Sequence, residues 1–241
     1  MKASTLFCFG HRGAAGHEPE NTLRSVRKAL ELGVNGIEVD VYLADEHLVV
    51  IHDDTLDRTT NGAGAVAETS FACLRSLDAG GGERIPTLEE VLDTVNRQAV
   101  INVELKGPGT ALPVVRLLDR YVQERGWRYE DFLVSAFDPT QLQTARQLQP
   151  QIRTGVLMDK LPPEPAAFAE QLGAWSLHPS KRCVTPALVA EAHRRGLKIF
   201  VFTINKPAEI AAMAALGADG VFTDFPERVV TFLRGQNKIN R

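Results

Sequence analysis

Two short apolar runs end on histidine: residues 7–13 read FCFGHRG, with His11 and Arg12 directly behind the run, and residues 48–52 read LVVIH, ending at His52. Carboxylates recur at alternate positions in GIEVDV, as Glu38 and Asp40, and in INVELK, where Asn102, Glu104 and Lys106 alternate with Ile101, Val103 and Leu105. Side chains alternate faces along an extended chain, so Glu38 and Asp40 share one face and Ile37, Val39 and Val41 the other. Three carboxylates brought together would repel each other and resist ionisation unless a cation offset them. An oxygen-only donor set, with no clustered Cys or His, suits a hard ion such as Mg²⁺ or Ca²⁺ better than zinc. Glu38, Asp40 and Glu104 are therefore assigned to one divalent metal. His11 and His52, at the ends of strands beside that cluster, are expected to act as general base and general acid. Arg12 offers a planar fork for a phosphate oxygen and Lys106 a point charge. Metal, histidine pair and two cations together describe phosphoryl chemistry.

Each piece alone has a plainer explanation. A strand carrying two carboxylates is usually half-exposed with a solvated face, and a single histidine is more often structural than catalytic. The elements that must position these residues change that balance. Short β-rich runs alternate with longer helical patterns, from TLFCFG and TLRSVRKALELG to DGVFTDFP and ERVVTFLRG, in eight strand-then-helix units. Glycines 33, 126, 173, 196 and 217 follow helical patterns, as left-handed caps require. Eight parallel strands with crossover helices predict a (β/α)₈ TIM barrel, with a doubly wound open sheet as the alternative. In the barrel, strands covered by helices are solvated only at the mouth, so the polar faces of 36–41 and 101–106 belong there. One segment breaks the rhythm: ADEHLVVIHDD, directly after the second strand, reads as a hairpin return. Residues from about 44 to 86 form an insertion, glycine-rich at TTNGAGA and DAGGGERIP, with a short helical stretch near SFACLRSL. It is expected to sit over the strand ends where barrels build their sites.

The totals narrow the ligand. The 241 residues are 44% apolar and 24% charged with a net charge of −3, and the charges are interleaved. No basic stripe suggests nucleic acid and no polybasic block suggests a membrane, so the expected partner is a small molecule. Three widely spaced cysteines, Cys8, Cys73 and Cys183, argue for a reducing compartment and read as small buried apolar residues. The N-terminal apolar run is too short for a secretory core, and no stretch approaches the roughly 18 apolar residues of a membrane span. A cytoplasmic protein is expected.

Taken in order, HRG, PENT, EVDV, VVIHDDTLDRTTNG, PTLEEVL, NVELK, FTIN and GVFTDFP resemble the glycerophosphodiester phosphodiesterase family, over residues 9 to about 228. The resemblance implies a TIM barrel with a small insertion after the second strand. It implies metal-dependent cleavage of glycerophosphodiesters to glycerol 3-phosphate and an alcohol, and a likeness to the short bacterial cytosolic form. The family's histidine pair falls on His11 and His52, its metal carboxylates on Glu38, Asp40 and Glu104, and its phosphate-facing cations on Arg12 and Lys106. Phe202 stands where the family often has tryptophan, which alters the apolar wall of the pocket. Asn21, Phe202 and Asn205 are candidate pocket residues, and Glu20 or Asn21 is expected to cap the first helix. His17, His47 and His193 read as solvated, and His178, ending the sixth strand, as structural. Competing readings are a related barrel acting on lysophospholipids or phosphoinositides, and an inactive phosphodiester-binding barrel. The first lacks an apolar or basic surface in the glycine- and threonine-rich loops. The second would be expected to lack one of the five histidines and carboxylates, and all are present. A phosphate-binding isomerase or aldolase barrel would have glycine-rich loops after its last two strands, where TINKP and FTDFP stand instead.

Overall fold

Alternating apolar positions close into a barrel in the computed structural model, which describes residues 6–239. The first strand, β1 (Phe7–Gly10), leads into α1 (Leu23–Leu32), and β2 (Gly36–Ala44) turns back as β3 (His47–Val50). After the short α2 (Phe71–Ser76), α3 (Leu88–Val95) restores the rhythm, followed by β4 (Val100–Leu105), α4 (Ala111–Arg125), β5 (Phe132–Ala136) and α5 (Pro139–Leu148). The remainder is β6 (Arg153–Met158), α6 (Pro165–Gln171), β7 (Ser176–Pro179), α7 (Pro186–Arg194), β8 (Lys198–Val201), α8 (Pro207–Leu216), β9 (Gly220–Thr223) and α9 (Pro226–Ile239). Parallel pairing runs β1-β9-β8-β7-β6-β5-β4-β2 and closes through β1–β2, while β3 pairs antiparallel with β2 outside the ring. Closure removes the free edges that an open sheet would carry.

The register of β2 on β4 sets Glu38 beside Asn102 and Asp40 beside Glu104. Their apolar neighbours Ile37, Val39, Val41, Ile101, Val103 and Leu105 turn outward into the main core beneath the helices. Inside the ring, Phe9, Leu133, Phe200 and Phe222 fill the floor, with Phe9 stacked on Phe222 at 4.8 Å and edge-on to Phe200 at 5.3 Å. This apolar plug leaves the polar inward residues nearer the C-terminal strand ends. The segment after β2 has a core of its own, in which Val49, Ile51, Leu56, Val66, Leu74 and Ile85 are buried together. Of the cysteines, only Cys8 is buried; Cys73 is exposed and Cys183 half-buried, so the expectation of three buried thiols fails at the two outside the barrel strands.

His178 lies wholly inside the ring, its Nε2 2.8 Å from Ser176 Oγ and its Nδ1 without a partner among the described residues. The ring fits there because its neighbour is Gly155; a Cβ at that position would lie 2.4 Å from the imidazole. Burial pushes the His178 pKa down to about 3, so the folded protein keeps this ring neutral. An unfolded chain takes up that proton near pH 6.5, so the stability from neutral burial is present above that pH and lost as pH falls towards 3. The slope approaches roughly 1.4 kcal/mol per pH unit. Denaturant unfolding at pH 7.5 and pH 4.5 is expected to show a smaller acid loss in His178→Gln than in the parent. Equal losses in the two proteins would contradict the assignment.

Candidate active site

The chain leaves β1 through a tight turn in which Arg12 has φ 52° and Gly13 φ 84°. A Cβ at Gly13 would lie 2.5 Å from Ser25 Oγ, so both conformation and space require glycine. Ser25 Oγ donates to the Arg12 carbonyl at 2.8 Å and accepts from the Ala14 N–H at 2.8 Å, which pins the turn on α1. Thr22, whose side chain accepts from the Ser25 N–H, is the N-cap of α1, in place of the expected Glu20 or Asn21. The Arg12 backbone N–H donates to Glu38 Oε2 at 2.8 Å, fixing the turn to β2 as well.

Glu38, Asp40 and Glu104 are buried, and each offers an oxygen within 4.8 Å of the others. Burial, with repulsion from Asp40 and Glu104, raises the Glu38 pKa well above its ordinary value; burial and Glu104 raise that of Asp40, against Arg12. Lys106 Nζ lies 3.0 Å from Glu104 Oε1 and 4.0 Å from Asp40 Oδ1, and Arg12 Nε lies 3.5 Å from Asp40 Oδ2. Glu38 Oε1 is nonetheless buried with no hydrogen-bond partner among the described residues. A buried carboxylate oxygen without a donor is costly, and an oxygen-only set of this charge fits a hard divalent cation. Asn21, buried at φ 58°, donates to Asp40 Oδ2 at 2.8 Å and accepts from the Asp40 N–H at 3.3 Å. It orients a carboxylate rather than lining the open cavity.

Each expected catalytic histidine rests on a carboxylate. His11 Nδ1 is 2.6 Å from Asp224 Oδ1, and His52 Nδ1 is 2.6 Å from Asp53 Oδ1. An ionised carboxylate only accepts, so each ring holds a proton on Nδ1, and in the neutral ring Nε2 keeps its lone pair. Burial would raise the Asp224 pKa, but the hydrogen bond from His11 brings it below its ordinary value. Hydrogen bonds from Arg58, against burial and with His52, lower that of Asp53. Burial lowers the pKa of His52, whose Nε2 faces Lys106 Nζ at 3.2 Å. Asn205, expected as a pocket residue, instead donates to Asp224 Oδ2 at 2.6 Å and accepts the Asp224 N–H at 2.9 Å. Asp53 and Asp224, the carboxylates that hold the two rings, are not among the residues the sequence singles out. Their signals are weak: one follows His52 directly, and the other is the first residue after β9. His17 is exposed, as expected, with its Nε2 2.8 Å from Glu227 Oε2 and its ring edge-on to Phe225. His193, though exposed, pairs with Asp219 at 2.8 Å, and His47 stacks on Phe71 with centroids 3.8 Å apart.

These groups share a cavity of about 320 Å³, with His11, Arg12, Glu38, His52, Glu104 and Lys106 on its wall together with Phe137, Leu157 and Phe202. A larger groove of about 720 Å³ runs over α4 past Arg116 and Leu112 and contains neither of the His11–Asp224 and His52–Asp53 pairs. The smaller cavity joins an acidic cluster, two imidazoles held at Nδ1 by carboxylates, two cations and an apolar wall. That combination can bind an anionic ester, move two protons and shelter a carbon skeleton.

The profile of the Glycerophosphoryl diester phosphodiesterase family matches residues 11–228. A protein of Caldanaerobacter subterraneus subsp. tengcongensis named glycerophosphodiester phosphodiesterase is 36% identical over 93% of this chain and 96% of its own. The structure of an Oleispira antarctica phosphodiesterase in complex with the product sn-glycerol-3-phosphate is similar at TM-score 0.85 and 31% identity, covering 98% of each chain. A glycerophosphodiester phosphodiesterase from Agrobacterium tumefaciens is similar at TM-score 0.81 and 28% identity, covering 94% of this chain and 99% of the other.

Proposed function

Because the chain belongs to the glycerophosphoryl diester phosphodiesterase family, we propose that it hydrolyses glycerophosphodiesters to glycerol 3-phosphate and an alcohol at the mouth of this barrel. It is a phosphodiester hydrolase. The observation that carries the finer reading is the meeting, in one cavity, of the Glu38–Asp40–Glu104 cluster with two imidazoles held at Nδ1 by carboxylates.

In this reading Glu38, Asp40 and Glu104 hold one divalent ion, Mg²⁺ or Ca²⁺. Once bound, it supplies positive charge to a phosphate oxygen and offsets the three carboxylates. Lys106, now shared by Glu104 and His52, brings a second charge to the phosphate. Arg12 brings a third, its guanidinium steadied by Glu20 at 2.7 Å. His11 and His52 each present Nε2 for proton transfer: one, starting neutral, accepts the proton of the attacking oxygen, and the other, starting as the imidazolium with both nitrogens protonated, donates its Nε2 proton to the departing oxygen. Asp224 and Asp53 hold the rings in that tautomer and stabilise the imidazolium that forms. Phe137, Leu157 and Phe202 exclude water from the carbon side of the substrate. A small-molecule partner and a cytoplasmic setting belong to the same proposal. Among the described residues no helix is long and apolar enough to cross a membrane.

The direct test is release of glycerol 3-phosphate from glycerophosphocholine and glycerophosphoethanolamine, with and without chelator. Release that chelator abolishes and Mg²⁺ or Ca²⁺ restores is expected; no release from either diester with either ion would overturn the reading. Metal binding has its own readout. A ligand that binds only the folded state raises its stability by RT ln(1 + [L]/Kd), so each ion tested should raise the melting temperature of the parent if it binds. Glu104→Gln removes one anionic ligand and is expected to lessen that rise. An unchanged rise would take Glu104 out of the metal site.

A further inference from the structure

The residue that ties the two halves of this site together is Arg58, which comes from the segment after β2 and touches neither the cavity nor the carboxylate cluster. Its Nε donates to Asp53 Oδ2 at 2.5 Å and its Nη2 to Asp53 Oδ1 at 2.9 Å. On the other side Nη1 donates to Glu20 Oε2 at 2.9 Å and Nη2 to Glu20 Oε1 at 2.8 Å. Asp53 Oδ1 is also the oxygen that holds His52 Nδ1, and Glu20 Oε1 also accepts from Arg12 Nη1. One guanidinium therefore clamps two carboxylates, each of which orients a group facing the substrate. Only the fixed planar fork of arginine can do this; a lysine offers a single point charge.

We propose that Arg58 is a positioning residue, fixing His52 through Asp53 and Arg12 through Glu20, so that the segment after β2 sets the geometry of proton transfer and phosphate binding together. Its backbone is well placed for the task. Leu56 is buried in the core of that segment, and the Thr60 N–H and Oγ1 both bond the Leu56 carbonyl, at 3.1 and 2.7 Å, bracketing Arg58 in a closed turn. Burial would raise the Glu20 pKa, but hydrogen bonds from Arg58 and the charge of Arg12 bring it down to about 2, so the bridge stays ionised through the working range. The Arg58 side chain is 49% exposed. Exposed ion pairs add little to stability, so its removal should be felt in geometry rather than in folding. Without Arg58 the Asp53 carboxylate is free to turn to water, the Nδ1 proton loses its acceptor, and the ring can rotate or change tautomer.

The inference rests on the phosphodiesterase reading, and the experiment separates the two. Arg58→Ala, Asp53→Asn, the double variant and Arg58→Lys are compared with the parent on glycerophosphocholine, with ring ¹⁵N spectra of His52 recorded without substrate. Arg58→Ala is expected to lower kcat by about 10–100-fold, the usual range for partners that orient a ligating or reacting side chain, and to raise KM, with a melting temperature within a few degrees of the parent. In the Asp53→Asn background it should lower kcat little further while still raising KM, because the histidine arm is already cut. Guanidinium ion is expected to restore part of the kcat of Arg58→Ala and none in the double variant, and Arg58→Lys should stay impaired. In the spectra, a single Nδ1–H tautomer in the parent should give way to exchange in Arg58→Ala. A parent that releases no glycerol 3-phosphate would sink the functional reading, and the spectra would still decide the positioning role. An active parent with an unchanged Arg58→Ala variant, or kcat losses that simply multiply in the double variant, would sink the positioning role. Should Arg58→Ala fail to fold, the same kcat, KM and spectral comparisons are made on Arg58→Lys and Arg58→Gln.

Discussion

Alanine in place of His11 or of His52 is expected to lower kcat by roughly 10²–10⁴, the span of general acid–base groups, while leaving the fold intact. Both rings stand at the cavity wall, with side chains 18% and 28% exposed, so their loss opens no hole in the core. Asp224→Asn should mimic much of the His11 loss. Its amide can donate to Nδ1, which favours the tautomer protonated on Nε2 and removes the lone pair that faces the substrate. Asp224→Asn on top of His11→Ala should then cost little more, because the two side chains act as one unit. Rate and melting temperature measured together decide the matter. Losses below tenfold, or losses that follow a large fall in melting temperature, would mean that the histidines hold structure and that protons move elsewhere.

The barrel was legible because its signal is repeated. Eight strand-then-helix units each carry the same period change, and the β2 and β4 patterns alone turn Glu38, Asp40 and Glu104 to one face. The antiparallel return was legible too, since His47–Val50 follows β2 after a turn of only two residues. What alternation and spacing cannot carry is partnership across the closed ring. Asp224 is 213 residues from His11 and meets it only because β9 pairs with β1. Asn205 was visible as a polar residue behind β8, but its preference for Asp224 over the cavity depends on how two neighbouring strand ends are set. The cap of α1 went to Thr22 for a local reason: its hydroxyl reaches the Ser25 N–H, while Asn21 takes a left-handed conformation and turns inward to Asp40. Arg58 lies in DRTT, a stretch whose composition points to no partner, and its two carboxylate partners lie 5 and 38 residues away.

A glycerophosphodiester lacking the hydroxyl next to its phosphorylated carbon is expected to bind and not be cleaved. In the intact substrate that hydroxyl is already held near phosphorus, so its attack gains the large effective molarity of an intramolecular reaction, which water lacks. Two histidines suit such a route. One Nε2 takes the hydroxyl proton as oxygen attacks phosphorus, and the other protonates the departing alcohol, leaving a cyclic phosphate. Water then opens the ring with the histidines in exchanged roles, returning each to its starting state. In this route Arg12 and Lys106 would stabilise charge on the non-bridging oxygens in both halves, with little reorganisation because Glu20 and Glu104 already hold them at the wall. Direct attack by water predicts something different: the hydroxyl would serve only as a binding handle, so the deoxy analogue would show a higher KM with substantial kcat. Measuring turnover at saturating analogue, with inhibition of glycerophosphocholine cleavage as proof of binding, separates the two. Appreciable turnover at saturation excludes the cyclic route; inhibition without turnover, together with transient cyclic phosphate from the intact diester, is the expected result.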